Sequence, residues 1–337
     1  MGDVARAAGV SRATASYALR GDSRIALPTA EKVRRAAVKL GYTANLSARS
    51  LRSGRNGVIG VAIFELDKAY PSQMSAAISR EATRRGLQAI VQQTANSQEG
   101  EVAVLRKVTS QLCDGTIFSP GHVSDAEISE LSGNKPIVLL DDRSDRQMFD
   151  TVFTPCRAGA KAAILHLAEA GCRHILVLGA DRRAAADEPN AVGGRRVQGA
   201  LEGFEQAGLQ SSEADFVGLA DWDFATSRRK VHELVDRGSS FDGLFCMTDS
   251  IAFGAIRGLA DRGIHAPDDV AVMGFDGVVE DEFMIPSLTT IAIDNDDLAC
   301  KAVSLLVRRI EAGDGGVQPT RLTARFDVVK RESTRRR

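Results

Sequence analysis

The stretch DVARAAGVSRATASYAL, residues 3–19, decides how the front of this chain folds. Val4, Ala5 and Ala8 share one face of a first helix, which Gly9 stops. Ser11 can cap a second helix that turns Ala15 and Leu19 inward. The product is helix, tight turn, helix. Gly21, Asp22 and Ser23 open a loop, after which Thr29 can cap a third helix with Glu31 in its first turn. Val33, Ala36, Ala37 and Leu40 form its apolar stripe, and Gly41 ends it. This spacing leaves Ser11, Arg12, Ala13, Thr14 and Tyr17 at the start and outer face of the second helix. Side chains there can enter a DNA major groove roughly 12 Å wide. Arginine can pair bidentately with guanine, tyrosine can donate to bases or phosphates, and a helix N-terminus attracts phosphate.

Charge supports the same reading. The 337 residues carry a net −1, but residues 1–55 hold eleven Lys or Arg against three acids, net +8, leaving −9 for the rest. A cationic end on an acidic body points to a polyanion partner for that end. Residues 43–55, TANLSARSLRSGR, are small, basic and polar, the composition of a linker that is helical only under some conditions. With 44% hydrophobic but 5% aromatic residues, the cores must be filled mainly by Ala, Val, Leu and Ile. No apolar run approaches the roughly 18 to 20 residues that span a bilayer, and the N-terminus lacks a secretory pattern, so a cytoplasmic protein with no membrane partner is expected.

From Gly57 onward, short apolar runs alternate with amphipathic helical stretches. Strands are expected at 58–64, 88–93, 115–118, 137–140, 174–178, 216–218, 243–247, 270–274 and 289–293. Helices are expected at 73–85, 102–112, 157–170, 196–207, 224–237, 250–262 and 297–312. This is the alternation of a parallel, helix-covered sheet, and the unit is long enough to occur twice as two similar lobes. Ligands of such sheets gather outside the strand carboxyl ends. The sequence contains no G-x-G-x-x-G opening a helix after the first strand, no phosphate-binding G-x-x-x-x-G-K-[ST], no H-E-x-x-H and no G-x-S-x-G. Its five histidines are dispersed, and its five cysteines are scattered enough to read as small buried apolar residues. No catalytic residue, cofactor or metal site is expected. A solute-binding protein, or a sugar- or nucleotide-processing enzyme on the same architecture, is the alternative. The basic headpiece argues against the first and the missing catalytic motifs against the second.

The pattern DVA-x-x-AGVS-x-x-T-x-S, then KLGY (39–42), then N-L-S-A-R-S-L (45–51), resembles the lactose/galactose repressor (LacI/GalR) family in order and spacing. The body landmarks agree: Gly57-Val-Ile-Gly-Val61, Asp141 after an apolar strand, Arg196-x-x-Gly199, Phe245-x-x-x-Asp249-x-x-Ala252-x-Gly254, Val272-x-Gly-Phe-Asp276 and Pro286-x-Leu-Thr-Thr-Ile291. The resemblance implies an all-α helix-turn-helix headpiece (1–44), a hinge helix (45–56) and an α/β two-lobed periplasmic-binding-protein-like effector domain. Its N-terminal lobe is expected from 57–153 and 288–317, and its C-terminal lobe from 154–287 and 318–332. It further implies a homodimer on a pseudopalindromic double-stranded DNA operator, with a small-molecule, carbohydrate effector between the lobes.

Carried over, Arg12, Ala13 and Tyr17 read bases, while Ser11, Thr14, Ser16 and Asn45 position phosphates. Leu51 wedges a central base step with Ala48 facing the minor groove. Phe64, Asp67 and Tyr70 form one wall of the effector cleft, and Asp141, Arg196, Trp222, Thr248, Asp249, Asp276 and Ile293 line the remainder. For Asp249 a helix-capping role competes with a ligand contact, and for Trp222 a core role does. Three departures stand out: Ala15 where the family usually has Val, Arg20 where it commonly has Asn, and Met1 beginning inside the pattern, so that a start further upstream is expected.

Overall fold

The computed structural model describes residues 1–19, 22–42, 55–313 and 318–335, which fall into two units, Met1–Asn56 and Gly57–Arg337. In the first, α1 (Gly2–Ala8), α2 (Arg12–Leu19) and α3 (Leu27–Lys39) enclose a core of Val4, Ala5, Ala8, Ala15, Ala18, Ala30, Val33 and Ala37. Gly9 ends α1 in the left-handed conformation, φ 61°, which lets its N–H reach Arg6 O and the next N–H reach Ala5 O. Ser11 then accepts the Thr14 N–H at 3.0 Å and caps α2 as its sequence requires. Ser11→Ala should lower headpiece stability by about 1 kcal/mol. The check is the headpiece transition in calorimetry of the full chain, and an unchanged midpoint would deny the cap any weight.

Two details of α3 differ from expectation. The helix begins at Leu27 with Ala26 at its N-cap, so Thr29 lies inside it and Glu31 beyond its first turn. Pro28 is the reason: its fixed φ suits the first turn, where its missing N–H would have been unpaired anyway.

The second unit holds two six-stranded sheets. The first sheet runs in the order β11 (Arg321–Thr323), β5 (Asp150–Phe153), β4 (Ile137–Leu140), β3 (Gly115–Phe118), β1 (Val58–Ile63), β2 (Gln88–Gln93), all parallel. The second runs β12 (Phe326–Val329), β10 (Thr289–Ile293), β9 (Ala271–Asp276), β8 (Gly243–Cys246), β6 (Ile175–Gly179), β7 (Phe216–Gly218), parallel except for the β12–β10 pair. Central strands such as VIGVAI and AVMGFD are buried along their whole length, as a sheet covered on both faces demands.

Around the first sheet lie α4 (Ala69–Arg84), α5 (Gln98–Ala103, continuing through a π-helical Val104–Thr109 to Ser110–Leu112) and α6 (Asp125–Leu131). Around the second lie α7 (Cys156–Glu169), α8 (Arg182–Asp187), α9 (Val192–Ala207), α10 (Phe224–Asp236) and α11 (Asp249–Ala260), while α12 (Asn295–Ala312) returns to pack on α4, β3, β4 and β5. Among the described residues no helix is long and apolar enough to cross a membrane.

The lobe boundaries expected from sequence need correction. Strand 289–293 belongs to the second sheet, bonded to β9, and 321–323 to the first, bonded to β5, so the chain passes between sheets after β5, after β10 and between β11 and β12. A five-residue strand buried on both faces carries no mark of which sheet it extends, because partner choice rests on backbone pairing far along the chain. Strands β5, β11 and β12 escaped notice for a related reason. β5 opens on Asp150, a fully buried carboxylate that Arg308 (2.9 Å), Arg309 (2.6 Å) and the Thr320 N–H (2.6 Å) satisfy from distant sequence. Cys113, Cys156, Cys172 and Cys246 are buried as anticipated, but Cys300 is exposed, on the solvent side of α12.

Candidate functional site

On the headpiece, Arg12 and Ala13 are exposed in the first turn of α2, beside the exposed cap Ser11. Thr14, Ser16 and Tyr17 are half-buried, and the Ser11 and Thr14 hydroxyls lie 2.9 Å apart. Arg24, not anticipated from sequence, sits 4.8 Å over the Tyr17 ring while its guanidinium holds Asp22 through two bonds of 2.9 and 2.7 Å. The outer face of α2 therefore offers a cation at its N-terminus, a small apolar side chain and a ring held by stacking. Asn45, Ala48 and Leu51 lie outside the described residues.

In the body unit, two aspartates occupy corresponding ends of the two sheets. Asp141 directly follows β4 with φ 51°, and Asp276 ends β9 with φ 130°. A non-glycine residue in the latter conformation stores about 1 to 3 kcal/mol of strain, which the surrounding structure must hold. Thr154 holds Asp141, donating its N–H at 2.8 Å and its hydroxyl at 2.9 Å. Arg196, one turn into α9, answers Asp276 at 3.4 Å, donates to the Met247 carbonyl, and lies 3.7 Å over the Phe275 ring and 5.8 Å from that of Trp222. Burial pushes the Asp276 carboxyl well above the usual carboxylate range against the pull of Arg196, and it raises Asp141 as well.

Tyr70, from the first turn of α4, completes this cluster. Its hydroxyl is buried and finds no hydrogen-bond partner among the described residues. Burial, then the nearby Asp141 and Asp276, push the phenol well above its ordinary value, so it remains a neutral donor. The Arg196 Nε is likewise buried without a partner. Orphaned polar groups converging in one place are what a polar ligand would satisfy. Cys156 also faces Arg196, but burial raises its thiol, which is therefore not primed as a nucleophile. Among the described residues no three His, Cys, Asp or Glu side chains are grouped to hold a metal.

The other anticipated residues divide. Trp222 is half-buried, donates to the Gly179 carbonyl at 3.0 Å and faces Arg196. Phe64 follows β1, half-buried, and Asp67 is exposed on the loop leading to α4. Thr248 is the cap of α11, accepting the Ile251 N–H at 3.1 Å. Asp249 does not cap that helix. It is fully buried, and its oxygens accept from Gly277 N–H, Val278 N–H and the Thr290 hydroxyl at 2.6, 3.1 and 2.6 Å, which braces the turn after Asp276. Ile293 is a buried core residue at the end of β10.

Residues that sequence reasoning passed over tie the two sheets' loops together. Arg195, next to Arg196, reaches the Asp142 carbonyl at 2.8 Å and covers the Phe153 ring at 4.2 Å. Arg143 meets Glu188 at 2.6 Å, Asn190 donates to Asp145 at 2.7 Å, and Gln73 of α4 bonds both Glu280 (2.9 Å) and the Val279 N–H (3.2 Å). Nothing local in sequence signals such pairs, since each joins segments from different lobes.

Comparison with known proteins matches the description "Bacterial regulatory proteins, lacI family" to residues 1–45 and "Periplasmic binding protein-like domain" to residues 164–334. The ribose operon repressor of Halalkalibacterium halodurans is 28% identical over 309 residues, covering 92% of this chain and 89% of that protein. A solved structure of a LacI-family transcriptional regulator from Sanguibacter keddieii is 35% identical with a TM-score of 0.75, over 83% of this chain and 99% of that one. The lac repressor dimer bound to operator and the anti-inducer ONPF has a TM-score of 0.80 at 25% identity, over 98% of each chain.

Proposed function

Because the chain belongs to the LacI family of bacterial regulatory proteins, we propose that it works in the cytoplasm as a homodimeric repressor. In this reading it grips a pseudopalindromic operator, and a small carbohydrate bound between the lobes controls it. The observation that carries the effector reading is the convergence of Tyr70, Asp141, Arg196 and Asp276, whose mixture of donors and acceptors suits a polyhydroxylated ligand, with Trp222 beside them to cover an apolar sugar face. Relatives named for sugars, such as the ribose operon repressor, lend support. The dimer reading is supported by the exposed apolar side chains of Val279 (65% exposed), Phe283 (76%) and Ile285 (92%), which a partner surface would cover. Arg12, Ala13 and Tyr17 read base edges, Ser11, Thr14, Ser16 and Asn45 hold phosphates, and Ala48 and Leu51 act in the minor groove. Effector acts through its different affinity for the two dimer geometries, open and closed.

Titrating a palindromic duplex from the chain's own promoter region against salt tests the reading. Several Lys and Arg contacts to phosphate should give a steep fall of log affinity with log salt. In the same assay Leu51→Ala should cut specific affinity more than about tenfold, equal to about 1.4 kcal/mol, while salt-sensitive nonspecific binding persists. Equal loss of both would sink the wedge, and a flat salt response would sink the regulator reading itself. A thermal-shift panel of sugars identifies the effector, because a ligand at 100 times its Kd adds about 2.7 kcal/mol.

A further inference from the structure

Beneath the turn that follows Asp276, two more aspartates are buried close enough for each carboxyl to act on the other. Asp249 opens α11, and Asp281 lies in the 3-10 turn Val279–Phe283; both are fully buried. Asp249 has its oxygens filled by Gly277 N–H, Val278 N–H and the Thr290 hydroxyl. Asp281 stands in the opposite condition: neither of its oxygens has a hydrogen-bond partner among the described residues. The cation facing it is Arg331 of the C-terminal segment, whose Nη1 is 3.9 Å away and donates instead to the Leu288 carbonyl at 2.8 Å.

The surrounding charges do not relieve the pair. From β9 comes Asp276, a third carboxyl already engaged by Arg196 of α9. From β10 comes only the neutral Thr290. Glu280 and Glu282, on the turn itself, are exposed, and Glu280 is bonded by Gln73. Glu332, beside Arg331, holds Ser287. Two ionised carboxylates out of water, with one cation 3.9 Å from Asp281 and already bonded to a carbonyl, would be left with uncompensated charge. A proton removes the difficulty, since a protonated carboxyl is a donor and its neighbour an acceptor.

We infer that Asp249 and Asp281 share one proton, and that this proton fastens the turn 276–285 to the body of the second lobe. With Asp281 as donor, Asp249 keeps its remaining capacity for the two turn N–H groups and Thr290, so the brace of the turn and the proton stand or fall together. At one end of the turn is Asp276; along the turn and at its other end are the exposed Val279, Phe283 and Ile285.

Burial, then the Asp249 charge, push Asp281 up to about 10. A free aspartic acid titrates near 3.9, so the folded value lies above the unfolded one. The contribution is therefore whole below about pH 4 and is lost progressively as pH rises toward about 10, one proton leaving on unfolding throughout that window.

The test is made on the full chain. Infrared spectra at pH 7 should contain a protonated-carboxyl stretch that diminishes in Asp281→Asn. In urea denaturation between pH 5.5 and 8.5, the unfolding constant of the wild type relative to that of Asp281→Asn should rise about tenfold per pH unit. Asp249→Asn should remove the same pH dependence and provides a second route if the first variant folds poorly. Parallel profiles for wild type and variant would overturn the inference. So would a wild-type spectrum with no protonated-carboxyl band, a result that needs no variant.

Discussion

Replacing Arg196 with methionine should cost the body unit about 3 kcal/mol, the lower end of the range for breaking a buried ion pair, and lower its melting temperature by roughly 5 °C. The guanidinium is 3% exposed and serves three neighbours at once: it donates to Met247 O, answers Asp276 and covers the Phe275 ring. Methionine can fill much of the volume but replaces none of the hydrogen bonds. The loss stays near the lower end because Asp276, which burial already pushes well above the usual carboxylate range, can take up a proton once the cation is gone. The double variant Arg196→Met with Asp276→Asn should then lose less than the sum of the single changes, the signature of residues acting as a pair. Urea denaturation of the four proteins measures this, and additive losses would mean that the 3.4 Å approach contributes nothing.

Gly199→Ala should destabilise by about 3 kcal/mol, the upper range for overpacking, although it adds a single methyl group to a helix. Helices α7 and α9 touch at this residue. A Cβ on Gly199 would stand 2.9 Å from Arg157 Cα, 2.8 Å from its carbonyl carbon and closer still to its carbonyl oxygen. These are backbone atoms, so no side chain can rotate away and the helices must separate. A Cβ on Gly203, one turn on, would stand 2.7 Å from Ile164 Cβ and 2.9 Å from Lys161 O, which closes the same seam. Arg196 is three residues before Gly199 on the same helix, so the shift should also displace its guanidinium from Phe275 and Asp276. Gln206→Ala, on the exposed side of α9, should stay within about 0.5 kcal/mol. Equal melting temperatures for the two variants would show that the seam can yield.

Much of this protein was open to reading from sequence because the relevant signals are local. Gly9 and Ser11 each act within one helical turn, and the period of Val4, Ala5 and Ala8 reports its own buried face. The same holds for the alternation of strands and helices after Gly57, and for the helix that carries Arg196. Helix starts were less legible. The helix expected from Gln73 begins at Ala69, which brings Tyr70 onto its first turn and into the carboxylate cluster.

What sequence alone determined, then, was the kind of most elements after Gly57, the headpiece with its reading helix, and the carboxylates at the ends of the central strands with the arginine in the first turns of a following helix. Tertiary structure alone decided which sheet receives 289–293 and 321–323, which aspartate meets Arg196 and which braces a turn, and which buried acid lacks a donor. Asp249 and Asp276 look alike as residues at strand or helix ends, yet Thr290 and two backbone N–H groups claim the first, and Arg196, 80 positions away, answers the second. Periodicity and capping are set by neighbours one turn apart, whereas the fate of a buried charge is set by whichever distant donors the packed chain brings within about 3 Å of it.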